Sequence, residues 1–207
     1  MAAEYDKYAS NYDDLDAGPL AEKAGIPELR RQAGSLCSGS VLEVGIGTGL
    51  NIPYYDPKLC SKLTGIDFSG GMLQGAAVKA ESLRAGGLPV ELSQMDVEAL
   101  SFKDGEFDCV IDTFSLCVYK RPVKALSEMR RVCKPNGKVI LLENCRSDNG
   151  VLGAYQDLTA LPVSNLGGKG CVYNQDVTAL AAEAGLRVVR RTNGILGVLA
   201  LFEAVPA

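Results

Sequence analysis

Apolar runs of strand length recur along the chain at residues 40–44, 62–67, 90–94, 107–113, 138–143, 186–191 and 196–204, and helical patterns separate most of them. Continuous Val/Ile/Leu runs, unlike alternating ones, belong to strands buried on both faces. The pattern therefore predicts an α/β fold: a parallel sheet covered by helices on both sides and wound with right-handed crossovers. Only residues 192–195 join the last two runs, too few for a helical crossover, so these runs are expected to pair as an antiparallel hairpin at the sheet edge. Turn chemistry marks the helix boundaries. Ser69 caps a helix reaching about Ala85 and closed by Gly86-Gly87; residues 121–133 end at Lys134-Pro135-Asn136-Gly137; residues 178–184 stop at Gly185. Residues 5–12 and 20–36 read as helices outside the alternating core, candidate lid elements.

At 207 residues, 47% hydrophobic and 22% charged, the chain suits one packed domain, and no repeat, low-complexity tract or linker divides it. The expected division of that domain is lid helices over 1–36, a ligand-binding core over 37–143, and a substrate-side loop with the hairpin over 144–207. Its 25 acidic and 21 basic residues give a net charge of −4. The short basic clusters Arg30-Arg31, Arg130-Arg131 and Arg190-Arg191 sit inside helix or strand patterns, so nucleic acid is not an expected partner. The longest apolar stretch, residues 195–202, falls far short of the roughly 20 residues of a membrane-spanning helix. Residues 1–14 carry acids and tyrosines where a signal peptide would be basic and then apolar, which points to a cytoplasmic setting, or an organellar one if a leader has been trimmed. Seven cysteines without CxxC spacing, an odd number, predict reduced thiols, mostly small core residues, and no metal site is expected.

The strand Val41-Leu42-Glu43-Val44 runs directly into Gly45-Ile46-Gly47-Thr48-Gly49, placing glycines at the carboxyl end of the first strand, where doubly wound sheets bind ligands. Asp67 ends the second strand 18 positions after Gly49, where a carboxylate accepts hydrogen bonds from both hydroxyls of a ribose. Asp96 lies just past the third strand, within reach of an adenine edge. Together these three sites outline one adenosine. A dinucleotide dehydrogenase is the main competitor, but Leu50 stands where its fingerprint requires the third glycine. Glu43 would repel a diphosphate and can face a positively charged group such as a sulfonium. Gly167-Gly168-Lys169-Gly170 superficially matches a phosphate loop but lacks its Ser/Thr and leading glycine, so it reads as a flexible loop.

Residues 41–51, 65–72, 96–102, 107–116 and 126–143 together resemble the class I methyltransferase family. The likeness is strongest to its ubiquinone/menaquinone-type C-methyltransferases, the methyltransferase type 11 branch, and to bacterial phosphatidylethanolamine N-methyltransferases. It covers most of the chain, and Tyr5-Asp6-Lys7-Tyr8-Ala9-Ser10-Asn11-Tyr12-Asp13 is similar to that branch's Y-D-x-x-A-x-x-Y-D opening. The resemblance implies a Rossmann-like, seven-stranded, mainly parallel sheet with an antiparallel last strand, S-adenosyl-L-methionine as cofactor and S-adenosyl-L-homocysteine as product. It implies that Gly45, Ile46, Gly47 and Gly49 wrap the methionine part, that Asp67 holds the ribose, and that Phe68 and Met72 flank the adenine. Asp96 and Val97 would cap the adenine edge, Thr113 would lie near the sulfonium, and Tyr12 would close over the cofactor. Asn51, Ser69, Glu98 and Phe114, from the same motifs, complete the expected cofactor set. Residues 144–174, notably Gly168-Lys169-Gly170-Cys171-Val172-Tyr173-Asn174-Gln175-Asp176, also resemble a group that includes a mitochondrial methyltransferase and relatives acting on thiols.

Methyl transfer from a sulfonium is an in-line displacement, so alignment supplies much of the rate and no protein nucleophile is needed. An acidic acceptor must still lose a proton, and the chain has no histidine. Many family members carry histidine or an aromatic where this sequence has Cys117 and Tyr119. Tyr119, and after it Cys117, are therefore the candidate acceptor-side catalytic residues, while Tyr8, Tyr12, Tyr54, Tyr119, Tyr155 and Tyr173 are candidate rings to shield the sulfonium. Residues 144–173 are expected to form the variable pocket wall. The expected partner is a small-molecule methyl acceptor such as a quinone-type ring carbon, with a phospholipid or other amine, or a thiol, as alternatives. A binding module without turnover is the competing class, and the chain is expected to be a monomer or homodimer.

Overall fold

The structure, a computed structural model, describes residues 6, 12–13, 18–166 and 170–207. The expected first lid helix over 5–12 and the glycine stretch beginning at Gly167 fall largely outside these residues. Ahead of the sheet lie helices α1 (Pro19–Lys23) and α2 (Ile26–Ser35). The core follows as β1 (Gly39–Val44), β2 (Cys60–Asp67), α3 (Gly70–Ala85), β3 (Val90–Gln94), β4 (Phe107–Thr113), α4 (Pro122–Val132) and β5 (Cys133–Asn144). The chain ends with α5 (Gly150–Leu166), α6 (Val177–Glu183), β6 (Leu186–Asn193) and β7 (Leu199–Pro206). The seven strands form one sheet in the order β3-β2-β1-β4-β5-β7-β6. All pairs among β1 to β5 are parallel, and β7 pairs antiparallel with both β5 and β6, as the short 192–195 connection requires. The order reverses between β1 and β4, opening a crevice above the carboxyl ends of those strands.

Strand periodicity sends alternate residues to two cores. Val139 and Leu141 of β5, with Val110 of β4, face one side, where Leu126 and Met129 of α4 and Ala181 of α6 cover them. Ile140 and Leu142, with Cys109 and Ile111, face the other, under Leu29 and Ala33 of α2 and Ala76 and Ala80 of α3. The two-sided strands explain why the sequence runs are apolar throughout. Helix α2, read from the sequence as part of a lid, is instead a layer of the sandwich, because its Leu29–Ala33 stripe is buried against the sheet.

Three local differences from the sequence reading have physical causes. The Lys134–Gly137 turn lies inside β5: Phe107 pairs with Cys133 and Cys109 with Lys138, so the extra residues bulge out of the ladder. Gly137 permits this because a side chain there would collide with the Asp108 carbonyl, 2.7 Å away. Strand β7 begins at Leu199, later than the apolar run, because residues 195–197 form a 3-10 turn with Leu196 in the left-handed region at φ 47. Residues 150–166, which lie within the stretch 144–173 expected to form a variable pocket wall and for which no helix was expected, form a helix capped by Asn149, whose Oδ1 accepts from the Val151 and Leu152 amides at 3.1 Å.

Candidate functional site

A cavity of about 290 Å³ occupies the crevice, within the lower range for small-molecule sites. Seven of the expected residues line it: Gly45, Asp67, Phe68, Asp96, Val97, Glu98 and Tyr119. Ile66, Met95, Val118 and Lys120 also line it and were not anticipated.

The glycines of the loop that follows β1 serve different ends. At Gly45 (φ 60) a side chain would collide with Ser115 and meet the Tyr119 Oη at 3.2 Å, so glycine lets the loop press against the β4 side. At Gly47 (φ 56) the nearest atom to an added Cβ is 3.9 Å away, so this stretch of loop faces open space. Gly49 is a packing residue, seated against Ile52 and the Ala76 backbone of α3.

Asp67 emerges from β2 with its Oδ2 accepting from the Gly47 amide at 2.9 Å and its Oδ1 from the Ser69 amide at 2.8 Å. Burial raises its pKa, and these backbone donors work against that shift. The carboxylate is thus fixed in orientation with lone pairs left for a ligand. Asp96 caps the 3-10 turn Val97–Ala99 by accepting from the Glu98 amide at 2.9 Å, which aims that turn at the cavity. Glu98 is itself engaged by Arg121, through the backbone amide at 2.8 Å and the Nε at 2.7 Å. Burial alone would raise its pKa, but the Arg121 donors outweigh that and lower it.

The remaining expected cofactor residues lie off the cavity wall. Ser69 Oγ caps α3, accepting from the Met72 amide at 3.1 Å, and donates to Asp6 at 2.5 Å. Met72 is buried in α3 and Ile46 packs on Gly65, so any ligand contact from Ile46 goes through its backbone. Glu43 turns inward: Asn51 Nδ2 donates to its Oε1 at 2.6 Å and Tyr55 Oη to its Oε2 at 2.8 Å. Arg30 completes this network, donating from Nη1 to Asn51 Oδ1 at 2.8 Å and to Thr113 Oγ1 at 3.0 Å, while its guanidinium stacks 4.9 Å above the Phe114 ring. Phe114 holds a left-handed backbone, φ 60, at the end of β4. Such strain in a bulky residue persists where the surroundings over-determine it. Asp13 and Asp6 of the amino-terminal signature act as staples. Asp13 accepts from Thr48 Oγ1 at 2.5 Å and Lys79 Nζ at 2.7 Å, and Asp6 also accepts from the Gly71 amide at 3.0 Å. Tyr12, beside Asp13, is half-buried.

The ends of β4 and β5 are acidic and buried. Asp112 and Glu143, at the ends of β4 and β5, are fully buried, and one oxygen of each has no hydrogen-bond partner among the described residues. Burial pushes Asp112 up to about 7, against hydrogen bonds from Ser115 and Tyr119. Burial and then Asp112 raise Glu143 well above the carboxylate range, and burial also brings Glu43 to about 7. Tyr119 Oη donates to Asp112 Oδ1 at 3.3 Å, and burial followed by the charge of Asp112 keeps the phenol protonated at neutral pH. Cys117 is buried beneath this surface, its Sγ 2.8 Å from that of Cys171. Sequence reasoning missed Arg30, Asp112 and Glu143. The acids were visible as charges inside the runs Val110-Ile111-Asp112 and Leu141-Leu142-Glu143, where an isolated carboxylate is costly. Arg30 carried no signal, since an Arg pair on a helix usually marks a solvated face.

An adenosine-sized crevice with a ribose-ready aspartate, and beside it buried carboxylates with unsatisfied oxygens, suits a nucleoside that carries positive charge. Fold and site together define a class I methyltransferase. The chain matches the methyltransferase domain family over residues 42–141. A phosphatidylethanolamine N-methyltransferase of Cereibacter sphaeroides is 40% identical over 157 residues, spanning 74% of this chain and 73% of that protein. A ubiquinone/menaquinone biosynthesis C-methyltransferase of Bdellovibrio bacteriovorus is 35% identical over 156 residues, spanning 72% of this chain and 64% of that protein. Among solved structures, a SAM-dependent methyltransferase of Thermotoga maritima, described as a possible histamine N-methyltransferase, superposes with a TM-score of 0.67 at 20% identity. That alignment covers 97% of this chain and 98% of the other. The chain belongs to the S-adenosylmethionine-dependent class I methyltransferases.

Proposed function

We propose that the protein methylates a lipophilic small molecule, with a quinone-type ring carbon as the first reading. The observation that carries this is the protonated Tyr119 phenol at the cavity wall, with Asp112 hydrogen-bonded behind it. When bound, S-adenosylmethionine supplies a methyl group activated by its sulfonium. Asp67 holds the ribose, Asp96 and Val97 meet the adenine, and the Gly45–Gly47 backbone receives the methionine part. Tyr119 orients the acceptor and relays its proton to Asp112, which is poised near neutrality and so replaces the histidine the chain lacks. The crevice would hold acceptor and methyl in line, which supplies much of the rate.

A second reading, an amine headgroup of a phospholipid, is favoured by Lys120. Its exposed side chain borders the same cavity, where it suits an anionic phosphate, and the relative at 40% identity carries that activity in its name. Incubation of the chain with labelled S-adenosylmethionine and, separately, a demethylated quinol, phosphatidylethanolamine vesicles and small thiols distinguishes these readings. Label in the quinol supports the first reading and label in the phospholipid the second. Cofactor binding with no product in any arm would make the protein a binding module.

A further inference from the structure

We propose that Cys117 and Cys171 form a reversible oxidation site, a dithiol that closes to a disulfide and pins the segment after α5 to the turn after β4. The two residues are far apart in sequence and come from different elements, yet their sulfurs lie 2.8 Å apart. The chain contains its own comparison. Cys37 and Cys109, packed as ordinary core thiols, keep their sulfurs 3.6 Å apart, and both are buried beyond the reach of an oxidant. The Cys117–Cys171 pair is closer, and Cys171 is partly exposed while Cys117 is buried.

Backbone geometry holds the pair in register. The Val172 amide donates to the Cys117 carbonyl at 2.9 Å, and Gln175 Nε2 donates to the Leu116 carbonyl at 3.4 Å. The two chain segments therefore already run side by side, and closing the bond to about 2.05 Å asks for little movement. Asn144 lies alongside, its Nδ2 4.0 Å from Cys117 Sγ.

The different surroundings of the two sulfurs set the order of events. Cys171, the accessible sulfur, attacks a low-molecular-weight disulfide RSSR as its thiolate, forming Cys171–S–S–R and releasing RS⁻. The Cys117 thiol is held protonated by Cys171 first and by burial second. It then gives up its proton to a departing RS⁻ and attacks the Cys171 sulfur, expelling the second RS⁻. In sum, two cysteine thiols are oxidised and one RSSR is reduced to two RSH. The new bond ties Cys171 to the turn that carries Tyr119, while the Asp67–Gly47 end of the crevice is untouched. Oxidation therefore restrains the acceptor side and leaves cofactor binding intact. Its effect on turnover rests on the proposed function; formation of the bond does not.

The test treats the full chain with glutathione disulfide, traps free thiols with N-ethylmaleimide, and maps linked peptides by mass spectrometry without reduction. The expected result is a peptide pair joining residues 117 and 171, reversed by dithiothreitol and absent in C171S. It should be accompanied by a rise in Tm of about 5 °C or more in the wild type alone, as closure of so long a loop predicts. Calorimetry with S-adenosylhomocysteine should give the same affinity before and after oxidation, within threefold. A stable glutathione adduct on Cys171 with Cys117 still alkylated after denaturation would overturn the proposal, and so would a bridge from Cys171 to any other cysteine. Failure to bind S-adenosylhomocysteine in either redox state would instead count against the cofactor reading.

Discussion

Around Asp67 each carboxylate oxygen meets a backbone amide less than 3 Å away, whereas around Asp112 and Glu143, across the same crevice, one oxygen of each has no hydrogen-bond partner among the described residues. The first region has its backbone donors in place before any ligand arrives; the second keeps those buried oxygens without partners. Strand geometry underlies the contrast. At the β2 end the chain turns at once into the loop that caps α3, and its amides converge on one carboxylate. At the β4 and β5 ends the acids sit inside the sheet, Asp112 paired with Leu141 and Glu143 with Ala200, and the Ser115 amide, 3.3 Å from Glu143 Oε1, leaves the second oxygen unpartnered among the described residues. A carboxylate fixed by backbone amides thus adjoins a buried acidic wall whose protonation shifts near neutrality, which under the proposed function is where cofactor charge and acceptor proton are both handled.

Four perturbations would break or sharpen this contrast. The largest effect is expected from Arg30→Met, which leaves Asn51 Oδ1 without its donor, takes one of two donors from Thr113 Oγ1, and removes the cation near Glu43. Stability should fall by about 3 kcal/mol in urea unfolding, and a loss below about 1 kcal/mol would show that the network is not structural. Next, Asp67→Ala should weaken S-adenosylhomocysteine binding by roughly 10- to 100-fold in calorimetry, the range for charge-assisted hydrogen bonds. A change under about threefold would remove Asp67 from the socket.

The third concerns pH. Asp112 and Glu43 have folded-state pKa values raised to about 7, so between about pH 4 and 7 the native state binds protons that the unfolded chain has already lost. Their contribution is therefore greatest at low pH and declines as pH rises to about 7. The urea midpoint should fall from pH 5 to 7.5, less steeply in Asp112→Asn, and equal slopes in the two proteins would exclude Asp112 as the titrating group. The same ionisation should tighten binding of the sulfonium cofactor over this interval more than that of its product, which lacks the sulfonium charge. The smallest effect on the fold is expected at α5, where Leu158 is 77% exposed. Leu158→Ser should alter stability by no more than about 0.5 kcal/mol. A larger loss would mean that this side chain is covered in solution.

What could be read from the chain follows the same division. Gly45, Asp67 and Asp96 were legible because each is a local event, a turn or strand end whose spacing along the chain equals its role in the crevice. Glu43 and Ser69 were legible as polar residues at the right places, but not their partners: Tyr55 and Asn51 take the first, the α3 cap and Asp6 the second. Helix α5 escaped notice because its apolar side chains point to both core and solvent, with Val151, Leu158 and Leu166 all exposed, so no 3.6-residue stripe marked it. The Cys117–Cys171 contact had no local signature at all.

Strand periodicity, the short final connection and the glycine loop determined, from sequence alone, a doubly wound sheet with an edge hairpin and a nucleoside crevice, because each depends on residues that are near neighbours in the chain. Tertiary structure decided which buried charges meet. Only after β1, β4 and β5 align do Glu43, Asp112 and Glu143 come together, and only after α2 packs beside them does Arg30 reach Asn51 and Thr113. Burial and proximity across the sheet set the energies of these groups, and neither is a property of any short stretch of sequence.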